Sequence, residues 1–247
     1  MKPYAAAILL IFSVTAGGCV SLKERAVRHN NKGLDYYDQG FYEKAIAEFQ
    51  KSIKLDRADS SAHNNLGNVY VKQGVLNEAA DEYKISLALD PDNATARNNL
   101  GSVYYKQGLL KTSIAEFNKS VALQPDDAAA RKNLGLAYTR LGWYEEAIIQ
   151  FKRAIALDRK YAKAYSGLGT AYYKYGLYKE AAAEIKTAIA LDPEDANSRN
   201  VSGLVHNKLG RNGEAAAEFR KAIELDPQNA NFKQNLERLL MRGIRIR

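Results

Sequence analysis

Glycine recurs along this sequence at a fixed interval of 34 residues. One series contains Gly33, Gly67, Gly101, Gly135, Gly169 and Gly203. A second series lies seven residues behind the first and contains Gly40, Gly74, Gly108, Gly142, Gly176 and Gly210. A constant period of this length is typical of chains in which copies of one supersecondary unit stack in a row. The chain is therefore expected to be a repeat protein rather than a domain with one central core.

Counting the first glycine of each copy as position 8 divides most of the chain into six units. The units are 26–59, 60–93, 94–127, 128–161, 162–195 and 196–229. The next segment, 230–242, begins in the same frame and is predicted to be a capping helix, because stacked repeats need a polar end. Residues 243–247 form a short basic tail.

Apolar residues recur within each unit at the spacing of a helix face, which predicts two antiparallel helices per unit. The glycine at position 8 and the small residue at position 20 leave room where the helices cross. A large side chain at position 24 fills the space beside them: Phe49, Tyr83, Phe117, Phe151, Ile185 and Phe219. The second glycine series is expected to end each first helix in a left-handed conformation.

These columns resemble the tetratricopeptide repeat (TPR), a helix-turn-helix unit of 34 residues, over residues 26–242. The resemblance implies an all-α, right-handed superhelical solenoid of six TPR helix-turn-helix units plus a C-terminal capping helix. Departures from the pattern lie at the ends. Lys32 and Ser202 stand where the inner units have leucine, and His206 replaces a tyrosine, as expected where a repeat lacks a neighbour.

The N-terminus has the layout of a secretory signal. Lys2 precedes an apolar run, 5–14, and small residues lead to the single cysteine, Cys19. The run is shorter than the roughly 20 residues that cross a bilayer. Residues 1–18 are therefore predicted to be a cleaved signal peptide.

The segment ending at Cys19 resembles the bacterial lipobox, in which the cysteine is acylated. Cys19 is thus the predicted lipidation site, and 19–25 the lipidated N-terminus and short tether. Val20 is not the aspartate of an inner-membrane retention signal, so we expect an outer-membrane lipoprotein facing the periplasm. The alternative is a secreted protein whose cysteine has no such role.

The sequence offers little for catalysis. His29 and His63 share one repeat position, and with His206 are expected to pack or lie on the surface. The isolated glycines form no phosphate-binding loop. The net charge of +8 is spread over many repeats, which argues against nucleic acid. We therefore expect no enzyme activity, cofactor, metal or small-molecule substrate.

In the TPR family the first helices line a concave groove, and positions 2, 5, 6, 9, 12 and 13 face it. Position 6 carries asparagine in the first four units: Asn31, Asn65, Asn99 and Asn133. Nearby asparagines thicken the row: Asn30, Asn64, Asn68 and Asn98. The row resembles the asparagine ladder in the superhelix of sugar-transferring members of the family, where amides hold the backbone of an extended peptide.

Two interpretations of the ladder remain open. The asparagines bind a peptide, or they bridge adjacent first helices. The ladder is lost at Gly167 and Val201. This loss predicts that the main peptide site lies in the first four repeats.

Position 13 carries a column of cations: Lys72, Lys106, Arg140, Lys174 and Lys208. They either form a positive stripe for acidic ligands or complement the helix dipole. Position 12 places tyrosines in alternate units, which contact a peptide or fill space between helices: Tyr37, Tyr105 and Tyr173. The carboxylate clamp of chaperone-binding members is not expected, because Asn64, Ala129 and Asn133 occupy positions where it needs cations.

The expected function is a non-enzymatic interaction scaffold at the cell envelope that holds an extended segment of a partner protein. The layout of lipobox and six repeats resembles the pilotin-type lipoproteins of type IV pilus assembly. The alternative is an adaptor that recruits an enzyme carried on another chain.

Overall fold

The computed structural model describes residues 21–244, and side chains as far as Met241. This part of the chain is helical and contains no strand. The helices are α1 Leu22–Asp38, α2 Tyr42–Leu55, α3 Ser60–Gln73, α4 Leu76–Leu89, α5 Ala94–Lys106, α6 Leu110–Leu123, α7 Ala128–Leu141, α8 Tyr144–Leu157, α9 Ala162–Tyr175, α10 Tyr178–Leu191, α11 Ala196–Lys208, α12 Asn212–Leu225 and α13 Ala230–Ile244.

The helices form six consecutive pairs followed by α13, and each helix packs against its neighbours in sequence. The all-α solenoid expected from the sequence is confirmed. Among the described helices, none combines the length and apolar character needed to cross a membrane.

The first glycine series lies where the two helices of a unit cross. A Cβ atom built on Gly67 would lie 2.7 Å from the ring of Tyr83, and one on Gly33 would lie 2.5 Å from Phe49. Both aromatic side chains are almost fully buried, so they cannot move aside. The predicted close approach is confirmed, and only glycine fits at these positions.

The second glycine series adopts the left-handed conformation that the sequence predicts. The φ angles run from 77° at Gly40 to 94° at Gly176. After Gly142, the amide of Trp143 donates to the carbonyl of Tyr138 at 2.9 Å, which closes the last turn of α7.

Serine at position 27 ties the second helix of a unit to the start of its first helix. Ser52 Oγ donates to the Ala26 carbonyl at 2.7 Å, and Ser86 Oγ donates to the Ser60 carbonyl at 2.8 Å. The later units have alanine there, so these bonds belong to the N-terminal half.

The N-terminal end differs from the sequence-based boundary. Helix α1 begins at Leu22, four residues before the predicted first repeat. The backbone N–H of Glu24 donates to Ser21 Oγ at 3.1 Å, and that of Ser21 donates to Glu24 Oε2 at 2.8 Å. This capping box starts the helix early, so 22–25 is helix and not tether. Cys19 and the predicted signal peptide lie outside the described residues.

The two ends of the solenoid are closed differently. In α1, Lys32 and Asp35 are exposed, at positions where α3 buries Leu66 and Val69. At the other end, Phe232 and Leu239 of α13 are buried, and Leu239 joins the apolar cluster of the sixth unit. Helix α13 continues to Ile244, two residues beyond the predicted capping segment.

Candidate functional site

Asparagine side chains connect the first helices of consecutive units. Each hydrogen bond runs from the Nδ2 amide at position 6 of one unit to the Oδ1 oxygen at position 5 of the unit before. The bonds are Asn65 to Asn30 at 3.0 Å, Asn99 to Asn64 at 3.2 Å and Asn133 to Asn98 at 3.0 Å. The ladder thus bridges adjacent first helices, the second of the two interpretations left open by the sequence.

The ladder still offers groups to a ligand. The Oδ1 oxygens of Asn65 and Asn99 accept no hydrogen bond from the described residues. Both side chains are half-buried, and Asn31 is exposed. An amide that bridges helices through Nδ2 can present Oδ1 to the backbone N–H of an extended peptide.

A small pocket opens around Asn68 between helices of the first three units. Asn68 Oδ1 accepts from Tyr83 Oη at 2.7 Å and from Asn99 Nδ2 at 3.1 Å. The pocket has a volume of ≈ 110 Å³, and its lining includes Tyr37, Lys72 and Lys106. These predicted site residues are therefore brought together in the structure.

The ladder breaks between the fourth and sixth units. Position 5 of unit four is Lys132 instead of asparagine, and position 6 of unit five is Gly167. A Cβ atom on Gly167 would lie 2.4 Å from the ring of Phe151, so an asparagine does not fit there. The ladder resumes with the bond from Asn235 Nδ2 to Asn200 Oδ1 at 2.9 Å.

A larger cleft opens at this break. It has a volume of ≈ 490 Å³ and spans units four to six. Its lining includes Lys132 of α7, Lys163, Ser166 and Gly167 of α9, and Asp192 after α10. The sequence predicts the main peptide site in the first four repeats, so the prediction does not include the larger of these two clefts. The sequence signal that could have indicated this cleft is the loss of asparagine at position 5 of unit four together with position 6 of unit five.

The cations at position 13 do not all have the same role. The Nη1 of Arg140 donates to the Tyr105 carbonyl at 2.8 Å, and its guanidinium lies 5.0 Å from the centre of the Tyr105 ring. Arg140 therefore caps the C-terminal end of α5, where the helix dipole favours a cation. Lys72 and Lys106 are exposed and line the smaller pocket, as a stripe for acidic ligands requires.

The position 12 tyrosines pack between helices. The ring of Tyr37 lies 6.0 Å from that of Tyr42, and the ring of Tyr173 lies 5.8 Å from that of Tyr178. Burial raises the pKa of the Tyr173 hydroxyl. Tyr37 also lines the smaller pocket.

A column of contacts between a basic side chain and a glutamate joins the two helices within a unit, and the sequence did not reveal the glutamate half. It runs from position 4 to position 23, 19 residues later. The contacts are His29–Glu48 at 2.6 Å, His63–Glu82 at 2.7 Å, Arg97–Glu116 at 3.3 Å and Arg199–Glu218 at 3.4 Å. The two histidines are therefore structural, as the sequence predicts.

Glu48 is the most enclosed carboxylate of this column, with 4% of its surface exposed. Burial raises its pKa, but hydrogen bonds from Lys51 and His29 and the charge of Lys32 outweigh that effect and bring the pKa to about 2. The Glu48 carboxylate is therefore ionised at neutral pH and accepts hydrogen bonds within the helix pair. Within residues 21–244, no three histidine, cysteine or acidic side chains lie together in a way that would hold a metal ion.

Family comparison agrees with the helix pairs and their columns. A profile described as TPR repeat matches 33–74 and 67–108, and profiles described as tetratricopeptide repeat match 92–160 and 166–230. The chain belongs to the tetratricopeptide repeat family. This fold generally serves as a non-catalytic scaffold for protein interactions.

Solved structures share the fold. The PilW crystal structure, described as that of a widely conserved type IV pilus biogenesis factor, has a TM-score of 0.77 at 20% identity, over 87% of this chain and 98% of PilW. Pseudomonas aeruginosa PilF has a TM-score of 0.75 at 21% identity, over 86% of this chain and 97% of PilF. Cut9-Hcn1, an APC/C hetero-tetramer, gives 0.79 at 22% identity over 87% of this chain, which spans only 43% of that longer chain. A search of curated protein sequences gave no match.

Proposed function

We propose that this protein is a non-enzymatic scaffold of the bacterial cell envelope that holds an extended segment of a partner protein in its concave groove. The observation that carries the proposal is the pair of clefts, ≈ 110 and ≈ 490 Å³, that open along the first helices. The Oδ1 oxygens of Asn65 and Asn99, which accept no hydrogen bond from the described residues, match the backbone N–H groups of an extended chain.

The spacing of the clefts sets a minimum length for the partner segment. The clefts occupy units one to three and units four to six, so their centres are three repeats apart. Packed helices lie about 8–10 Å apart, so this offset corresponds to roughly 30 Å. An extended chain covers about 3.3 Å per residue. The segment that fills both clefts therefore has about nine residues or more.

Acylation of Cys19 would place the solenoid directly against a membrane. Only Val20 and Ser21 separate Cys19 from α1. Lys23, Arg25 and Arg28 are exposed near the start of α1, where they would meet anionic lipid head groups. The structural likeness to two pilus proteins supports assembly of an envelope complex, such as a pilus secretin, as the process served.

Fractionation tests the envelope location. The wild-type chain should sediment with outer membranes, and Cys19→Ser should be released into the soluble fraction, because a lipid anchor is lost. Met241→Ser, a substitution of an exposed residue far from Cys19 in the sequence, is the control and should stay with the membrane. Membrane retention of Cys19→Ser would refute the anchor.

A pull-down from solubilised envelopes identifies the process. Co-purification of secretin or other outer-membrane components supports the scaffold. Recovery of a transferase or hydrolase as the main partner would instead support an adaptor that recruits an enzyme. Partners that remain after Asn65→Ala combined with Lys132→Gln would argue against the concave groove as the binding face.

A further inference from the structure

The break in the asparagine ladder leaves an incompletely satisfied ammonium group in the groove. Lys132 Nζ donates to Asn133 Oδ1 at 2.5 Å. An ammonium group has three N–H donors, so two remain for another partner. In units one to three the same position carries an asparagine whose oxygen accepts from the next unit. In unit four this position carries a hydrogen-bond donor, Lys132. Gly167, at position 6 of the next unit, has no side chain that could accept from it.

A second lysine adds positive charge to the lining of this cleft. Lys163 lines the same cleft, and neither lysine forms an ion pair with a carboxylate of the described residues. Lys132 is half-buried. Burial and the charge of Lys163 lower the pKa of Lys132, and Asp127 offsets them only in part. A desolvated cation beside a like charge gains free energy when an anion binds to both.

The acidic residues of the cleft lie at the start of α11. Asp195 caps that helix, because its carboxylate accepts from the backbone N–H groups of Asn197 at 3.1 Å and Ser198 at 3.2 Å. Asp192 and Glu194 also line the cleft. These carboxylates would repel a run of acidic residues in a ligand, whereas a single carboxylate placed beside Lys132 and Lys163 would be attracted to their ammonium groups.

We propose that the cleft between units four and six is an anion subsite that binds one acidic side chain of the partner segment through Lys132 and Lys163. The Ser166 hydroxyl is not part of the subsite, because Ser198 Oγ donates its single proton to Asp195 Oδ2 and the Ser166 hydroxyl therefore donates to Ser198 Oγ at 2.8 Å. The subsite rests on the proposed groove function and specifies what the groove recognises. An isolated Asp or Glu in a neutral or basic context is the preferred ligand.

Peptide selection on the full chain tests the subsite even while the partner is unidentified. The probe is a random dodecamer library displayed with a blocked C-terminus, which excludes recognition of a terminal carboxylate. Selected peptides should contain one Asp or Glu more often than the input library. Affinity of the synthetic peptides should fall about tenfold when that residue becomes Asn or Gln, as expected for a lost charged hydrogen bond.

Matched variants locate the effect on the protein. Lys132→Gln and Lys163→Gln should each weaken the selected peptides about tenfold at low salt, with an unchanged melting curve. Lys132→Arg should keep most of the affinity. Lys186→Gln, which removes an exposed charge on α10 outside the cleft, should change affinity less than twofold.

The outcomes separate the two proposals. Selected peptides that bind the groove but lack acidic enrichment, or that bind Lys132→Gln as tightly as wild type, overturn the anion subsite and leave the groove function standing. Failure to select any peptide overturns both. Binding that requires a free C-terminal carboxylate assigns the lysines to a chain terminus and overturns the side-chain assignment.

Discussion

The asparagine ladder predicts unequal stability losses at two chemically identical positions. Asn99 Nδ2 donates to Asn64 Oδ1 at 3.2 Å and to Asn68 Oδ1 at 3.1 Å, whereas Asn65 Nδ2 donates only to Asn30 Oδ1 at 3.0 Å. Both residues occupy position 6 of a first helix and both are half-buried. Truncation to alanine should therefore cost more at Asn99 than at Asn65.

The expected loss of unfolding free energy follows from the number of hydrogen bonds that each substitution removes. A hydrogen bond between neutral groups contributes about 1 kcal/mol net, so Asn99→Ala loses about 2 kcal/mol and Asn65→Ala about 1 kcal/mol. Alanine has a better helix propensity than asparagine by about 0.6 kcal/mol, and that gain is the same in both variants. The net losses are then about 1.4 and 0.4 kcal/mol, and their difference of about 1 kcal/mol is independent of propensity.

Equilibrium urea denaturation followed by circular dichroism measures this difference. A double-mutant cycle of Asn99→Ala with Asn64→Ala should give a coupling energy of about 1 kcal/mol, because the two side chains share one bond. Midpoints should be compared at an unchanged slope, since long repeat arrays can lose two-state behaviour. Equal losses at Asn65 and Asn99, or a coupling energy near zero, would refute the ladder as a structural bridge.

Two further tests follow from the same structure. The pKa of Glu48 is lowered from 4.5 to about 2, so its pairing stabilises the fold above about pH 4.5 and this contribution disappears as the pH falls toward 2. Glu48→Gln should therefore lower stability at pH 7 and flatten the loss of stability between pH 4.5 and 2 in acid titration; an unchanged acid profile would contradict the pairing. Gly142 has a φ of 91°, so Gly142→Ala should destabilise the protein by about 1 kcal/mol. Gly213 lies in α12 without positive φ, and a Cβ atom added there would meet nothing within 4 Å, so Gly213→Ala should stabilise by up to about 1 kcal/mol. Thermal denaturation compares the two glycine variants, and shifts of the same sign would contradict this assignment.

The positions of the groove residues could be predicted from the sequence, but their hydrogen bonds could not. The repeat frame assigns Asn65, Asn99 and Lys72 to the first helices, and the structure places them there. The bonding pattern was not readable, because a bond from Asn99 to Asn64 depends on the offset between stacked units. The contact between His29 and Glu48 could not be predicted for a similar reason, since it joins two different helices across 19 residues of sequence.

The boundary at α1 was readable from local sequence, although the repeat frame points elsewhere. Ser21 and Glu24 have the spacing of a capping box, which begins a helix at Leu22. The repeat frame instead starts the first unit at Ala26. A helix start is decided by local backbone hydrogen bonds, and these do not have to agree with the repeat period.

The sequence by itself determined the units, the helix pairs and the glycine positions. These depend on backbone conformation and on contacts at fixed separations, such as Gly67 against Tyr83, which recur in every copy. The tertiary structure alone decided what the groove offers. Whether an asparagine bridges two helices, and whether Lys132 keeps unused donors, depends on how neighbouring units stack and on Phe151 filling the space beside Gly167. The repeated local pattern determines the fold, and the proposed anion subsite lies where that pattern is interrupted.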